Sequence, residues 1–213
     1  MTEEKEMDPV EKIIRYLKET YQPDAVIIYG SFADGSANEH SDFDALVIAN
    51  HDKKHDASVI DGIILDVFIY PIDTFRSEYD PKEYVQVCDG KIVLDKNGVA
   101  GQLQKRVLSY VACSPKKSAD EIQQEIAWCE KMVKRTERDD AEGYYRWHWL
   151  LTDSLEIYCD VIGSYYYGPK KTLRCMEQTD KEAFRIYAEA LKRFDRASLS
   201  EWVSYLNRIS TAS

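Results

Sequence analysis

No stretch of these 213 residues approaches the roughly 18 consecutive apolar residues of a membrane-spanning helix, so a soluble chain is expected. No Cys-x-x-Cys pair occurs either. The five cysteines, at 88, 113, 129, 159 and 175, are scattered and odd in number, which predicts reduced thiols with neither a disulfide nor a zinc site. The N-terminal MTEEKEMDPVEK lacks the basic-then-apolar order of an export signal, and the cytoplasm is the expected compartment. A G-x-x-x-x-G-K-[ST] loop is missing, which excludes a P-loop NTPase. Basic residues are in short supply: 28 Lys and Arg stand against 38 Asp and Glu, for a net charge of −10. Nearly all of that excess falls in residues 1–113, where 12 basic residues face 21 acidic ones. Such a surface repels a nucleic-acid backbone and suits a small cationic partner.

What is present reads as two units. In DPVEKIIRYLKETY, apolar residues at 10, 13, 14 and 17 behind Asp8 have helical spacing with an N-cap. DAVIIYGS (24–31) and DALVIAN (44–50) are short strand runs closed by turn formers. SVIDGIILDVFIYP (58–71) is two runs split by Asp61-Gly62, a hairpin signal. A short helix over 72–79, a strand at KIVLD (91–95) and a helix over 98–112 follow. The polar CSPKKSAD (113–120) breaks the periodicity. Beyond it come helical patterns at about 119–138, 142–162, 171–178, 180–194 and 198–210. The expected fold class is α/β (α+β), a small mixed sheet flanked by helices over 1–113, followed by an all-helical domain over 114–213.

The chemistry concentrates in GSFADGSANEHSDFDALVI, residues 30–48. Alternation along a strand puts Asp42 and Asp44 on one face and Phe43 on the other. Asp66 interrupts the apolar run IILDVFIYP, where an unpaired buried charge costs several kcal/mol by the usual estimate. If its strand lies beside that of Asp44, three carboxylates converge, and all-oxygen ligands of this kind suit Mg²⁺ together with substrate phosphates. Gly30 permits close backbone approach to a phosphate, and the Ser31 hydroxyl can donate to its oxygens.

Gly30-Ser31, ten intervening residues, Asp42-Phe43-Asp44 and the later Asp66 together resemble the signature of the polymerase-β-type nucleotidyltransferase superfamily. The two-unit layout is similar to bacterial small-molecule nucleotidyltransferases that modify aminoglycosides and lincosamides. The resemblance implies transfer of a nucleoside monophosphate, AMP from ATP or its counterpart from another NTP, to an acceptor hydroxyl with release of pyrophosphate. It implies two Mg²⁺ ions on Asp42 and Asp44, with Asp66 on the ion that activates the acceptor, and Ser31 on the outer phosphates. The expected partners are the NTP and a small-molecule acceptor, without membrane or long nucleic acid, and a homodimer is compatible with them. Many relatives carry an arginine just after Gly-Ser, where this chain has Phe32-Ala33-Asp34. Lys170 and Lys171, opening a helix after Gly-Pro, are candidates to supply the missing charge, weighed against a plain solvated pair. The alternative function is an antitoxin-type nucleotidyltransferase that binds or AMPylates a partner protein.

Other features have plainer readings beside the sharp ones. His51 and His55 are four apart in HDKKHD, but the segment is polar and a loop is expected. On the helix over 142–162, Trp147, Leu150, Leu151, Ser154, Tyr158 and Val161 share the core face. Trp149, Asp153, Glu156 and Asp160 share another, on which Asp153 and Glu156 are candidates to bind a cationic acceptor rather than to be merely solvated. Tyr165, Tyr166 and Tyr167 read as packing between helices before ring stacking on a ligand.

Overall fold

The protein is described here from a computed structural model, which describes residues 7–138 and 140–211. Most of the acidic leader on which the cytoplasmic expectation rests, residues 1–6, lies outside the described residues. The chain forms two compact units, residues 1–113 and 114–213.

In the first unit, α1 (Pro9–Tyr21) starts where the Asp8 carboxylate accepts from the Val10 amide at 2.7 Å, and Pro9 presets the first turn. It ends at Gln22 in left-handed conformation, with φ +46°. Strands β1 (Ala25–Ile28), β2 (Phe43–Ala49), β3 (Lys54–Asp56), β4 (Val59–Ile60), β5 (Ile63–Pro71) and β6 (Lys91–Asp95) make a mixed sheet in the order β3-β5-β2-β1-β6, with β4 paired to β5. The β2–β5 pair is parallel, and the other pairs are antiparallel. Asp61 and Gly62 both take positive φ, +53° and +82°, as a two-residue type I′ hairpin turn between β4 and β5 requires.

Both faces of the sheet are covered, which is why β1, and β2 from Ala45 onward, read as unbroken apolar runs. Phe43, Ala45, Val47, Leu65, Val67 and Ile69 bury against Ile13, Leu17 and Tyr21 of α1. On the other face Ile27, Leu46, Ile48 and Tyr70 bury against Tyr84 and Val87 of a 3-10 helix (Pro81–Val87) and Leu103 and Val107 of α4 (Val99–Cys113). Two single-turn helices, α2 (Ser31–Asp34) and α3 (Ile72–Arg76), follow β1 and β5.

The expected loop at HDKKHD is corrected: Lys54–Asp56 pairs antiparallel with β5 as an edge strand. Asp56 anchors it. Its carboxylate is 5% exposed and accepts from the Tyr21 hydroxyl at 2.7 Å, the Tyr16 hydroxyl at 3.1 Å and the Ser58 amide at 3.0 Å. Those tyrosines are remote in sequence, so the polar segment looks like a loop until tertiary contacts form.

The second unit contains α5 (Ala119–Arg135), α6 (Ala141–Val161), α7 (Pro169–Thr179), α8 (Lys181–Arg193) and α9 (Arg196–Ser210). A reciprocal capping box of Ser118 and Glu121 starts α5, and Asp140 caps α6 through the Gly143 amide at 2.9 Å. The core face of α6 is buried as its spacing predicts, and the Trp202 indole of α9 donates to Ser154 at 2.9 Å. Asp180 joins three elements by capping α8 through the Ala183 amide while accepting from Tyr158 of α6 at 2.9 Å and Tyr205 of α9 at 2.6 Å. Among the described residues no helix is long and apolar enough to cross a membrane.

Candidate active site

A polar row crosses the second face of the sheet at one end of its strands. The Tyr29 amide donates to the Asp44 carbonyl at 3.1 Å, extending the β1–β2 pairing, and Asp44 pairs with Asp66 across the parallel β2–β5 ladder. Residues in register on neighbouring strands share a face, so the two carboxylates lie side by side. Asp42 is exposed just before β2, two residues from Asp44. Tyr29 feels this arrangement: burial and then the negative charges of Asp44 and Asp66 hold its phenol well above the ordinary tyrosine range.

Gly30 closes the site from above. Its φ is +66°, and a Cβ placed there would stand 2.3 Å from Asp44 Oδ2, so only glycine lets the backbone rest against that carboxylate. Ser31 opens α2, with the Ala33 and Asp34 amides turning back to the Gly30 carbonyl at 3.0 and 3.1 Å. The structure therefore brings Gly30, Ser31, Asp44 and Asp66 to one end of one sheet.

Asp66 has a partner that the sequence reading did not assign. His55 Nε2 lies 2.7 Å from Asp66 Oδ1, and the imidazole stacks on Phe68 with ring centroids 4.7 Å apart. Expected as part of a loop, His55 reaches this position because β3 pairs with β5 and sets it opposite Phe68. Tyr29 was passed over because it reads as the last apolar residue of a strand.

The acids suit a hard divalent cation in kind, being oxygen donors only, and Asp44 and Asp66 suit it in register. The set is not gathered into a closed cage: among the described residues no group of three or more His, Cys, Asp or Glu side chains is assembled to hold a metal ion. One oxygen of Asp66 is instead taken by His55.

The remaining candidates lie in the helical unit. Lys170 is exposed in the first turn of α7, which follows Gly168 at φ +96°, and the Lys171 ammonium sits 5.4 Å from the centre of the Tyr167 ring. Asp153 and Glu156, on the outer face of α6, line a cavity of about 600 Å³ with Trp149, with Glu125 and Trp128 of α5 and with Lys117. Trp128 escaped the sequence reading, although Glu121, Gln124, Glu125 and Trp128 have the spacing of a single helix stripe. Tyr166 packs on the unit's core, and the Tyr165 and Tyr167 rings meet at 5.0 Å.

Residues 11–97, fewer than half of the chain, match the family described as polymerase beta, nucleotidyltransferase. Domains of this family generally use a nucleoside triphosphate and a divalent metal. A comparison with curated proteins finds no match. Among solved structures, the chain is similar to a nucleotidyltransferase-like protein from Exiguobacterium sibiricum, at 11% identity over 95% of this chain and 74% of that one. With a TM-score of 0.40, that likeness is too distant to bear on the argument.

Proposed function

We propose that the chain transfers AMP from ATP to a hydroxyl of a small cationic acceptor, such as an aminoglycoside or lincosamide antibiotic, and so acts as an adenylyltransferase of antibiotic resistance. The observation that carries this reading is the in-register pair Asp44 and Asp66 with the Gly30 backbone held against Asp44. In the transfer, the acceptor oxygen bonds to the α-phosphorus, the bond to the pyrophosphate oxygen breaks, and the hydroxyl proton leaves to a base. Asp42, Asp44 and Asp66 would hold the divalent cations, two Mg²⁺ in this reading, which when bound supply charge neutralisation at the phosphates and lower the acceptor hydroxyl's pKa.

The chain's own groups do the positioning. Gly30 leaves room for the nucleotide's phosphates at the backbone, and Ser31 donates to their oxygens. His55 fixes the rotamer of Asp66 through the 2.7 Å contact. Residues 1–113 serve as the catalytic domain and 114–213 as the acceptor-binding domain, in which Asp153 and Glu156 are the candidate acceptor ligands and Lys170 and Lys171 the candidate cations for a phosphate.

The test is pyrophosphate release from ATP and Mg²⁺ across a panel of aminoglycosides and lincosamides, with Asp44→Asn alongside. Release that requires both an antibiotic and Asp44 is the expected result. If ATP with Mg²⁺ binds but no acceptor in the panel releases pyrophosphate, the antibiotic reading fails and a partner protein becomes the acceptor to pursue.

A further inference from the structure

The molecule employs its buried tyrosines in three ways. Tyr21 gives its hydroxyl to Asp56 at 2.7 Å, and Tyr158 and Tyr205 give theirs to Asp180 at 2.9 and 2.6 Å. Tyr187 donates to the Leu151 carbonyl at 2.6 Å. Tyr70 and Tyr84 close an aromatic cluster with Phe75 and Tyr79, ring against ring. Tyr29 fits none of these patterns. It is 8% exposed, yet among the described residues its hydroxyl makes no hydrogen bond and its ring meets no other ring.

Two acceptors are close at hand. The Tyr29 amide extends the β1–β2 pairing onto Asp44, and Asp44 pairs with Asp66, so the three side chains stand in one row on one face of the sheet. After burial, the charges of Asp44 and then of Asp66 are the strongest influences on the phenol. A nearly buried donor without a partner weakens a fold, and the tyrosines around Asp56 and Asp180 show how readily this chain turns a hydroxyl onto a carboxylate. Tyr29 holds its donor in reserve. The strand order β3-β5-β2-β1 sets His55 and Asp66 toward one end of the row and Tyr29 at the other, one residue before the Gly30 backbone that rests against Asp44. A lysine or arginine at that end would be drawn permanently onto the acids. A phenol is neutral and can give its one hydrogen bond to an incoming anion instead.

We infer that the Tyr29 hydroxyl is a phosphate ligand, donating to a non-bridging oxygen of the bound nucleoside triphosphate. It adds a side-chain donor to that of Ser31 on the nucleotide side of the row. The role depends on nucleotide binding as proposed above and is independent of the acceptor.

Tyr29→Phe removes the hydroxyl and keeps the ring in its cluster with Ile27, Leu46 and Val87. The probes are ATP and inorganic tripolyphosphate, each titrated with Mg²⁺ into the full chain by calorimetry. Affinity for both should fall about tenfold in Tyr29→Phe, the scale of one hydrogen bond to a charged group. The melting temperature of residues 1–113, followed by circular dichroism of the full chain, should hold or rise in Tyr29→Phe, because the lost hydroxyl has no partner in the fold. It should fall in Tyr21→Phe, whose hydroxyl is taken from Asp56. Equal affinities in the two chains overturn the role, as does a loss for ATP that tripolyphosphate does not share, which would put the donor on the sugar or base. A Tyr29→Phe chain that melts well below the unaltered one makes the hydroxyl structural and overturns it as well. So does an unaltered chain that binds neither probe. Weakened binding in Tyr29→Phe, with no pyrophosphate released on any antibiotic, would sink the transferase reading alone. Release by the unaltered chain, with ATP bound equally well by Tyr29→Phe, would sink the role of Tyr29 alone.

Discussion

Asp56 and Asp66 lie on adjoining strands of one sheet and are treated in opposite ways. Asp56 is buried and saturated, holding two tyrosine hydroxyls and a backbone amide. Asp66 keeps its side chain 43% exposed, with one oxygen on an equally accessible His55. The helical unit repeats the contrast: Asp180 is collared by Tyr158, Tyr205 and the Ala183 amide, whereas Asp153 and Glu156 face a cavity. An aspartate that the fold depends on has its acceptor capacity filled by donors of its own unit. One that keeps capacity in reserve is available to a ligand.

The largest effect that sharpens this contrast is expected from Asp44→Asn, which removes a charge from the candidate site. Pyrophosphate release should drop about 10³-fold, the scale of losing a charge-stabilising group, while the thermal midpoint of the first unit, residues 1–113 and here called the head, moves by less. Gly30→Ala comes next. The added methyl meets Asp44 Oδ2 and must push the carboxylate aside, so turnover should fall about 10²-fold, as for a displacement of roughly 1 Å. Asp56→Asn should behave the other way round. Tyrosine hydroxyls lose a charged acceptor, stability falls by about 1–3 kcal/mol, and denaturant unfolding of the head detects it while the surviving folded fraction retains most of its turnover. An Asp44→Asn head that unfolds, or an Asp56→Asn head that is stable but inactive, would break the comparison.

Much of this arrangement was legible in the sequence, for identifiable reasons. Alternation and turn chemistry locate β1, β2, the β4–β5 hairpin and β6, and helical spacing locates the elements after residue 114. Asp66 stands out because it interrupts an apolar run, and Asp44 because it shares a strand face with Asp42 at the start of one. Their pairing could only be posed as a condition, since strand order is a property of the whole chain, and the parallel β2–β5 ladder supplies it. His55 and Tyr29 were hidden for the same reason. Both take on meaning from the strand beside them. The segment around Asp56 was misread because its strand is held by Tyr16 and Tyr21, distant donors that no local pattern announces.

The smallest expected effect concerns acid stability. Burial acts to raise the Asp180 pKa, but the Tyr205 hydroxyl, the Ala183 amide, the Tyr158 hydroxyl and the nearby Arg208 together hold it below the ordinary value of 3.8. A carboxylate held down in the folded state adds stability that is fully present above its unfolded pKa and disappears as pH falls through the lowered folded value. The difference in melting temperature between the unaltered protein and Asp180→Asn should therefore be widest near pH 6–7 and narrow steadily below about 3.8. Asp153→Asn, which removes no internal hydrogen bond, should show no comparable pH-dependent gap. All four tryptophans, at 128, 147, 149 and 202, lie in residues 114–213, so tryptophan fluorescence reads the unfolding of that unit separately from the head. A gap for Asp180→Asn that stayed constant down to pH 2 would mean that neutral hydrogen bonds, and not the buried charge, tie α6, α8 and α9 together at this residue.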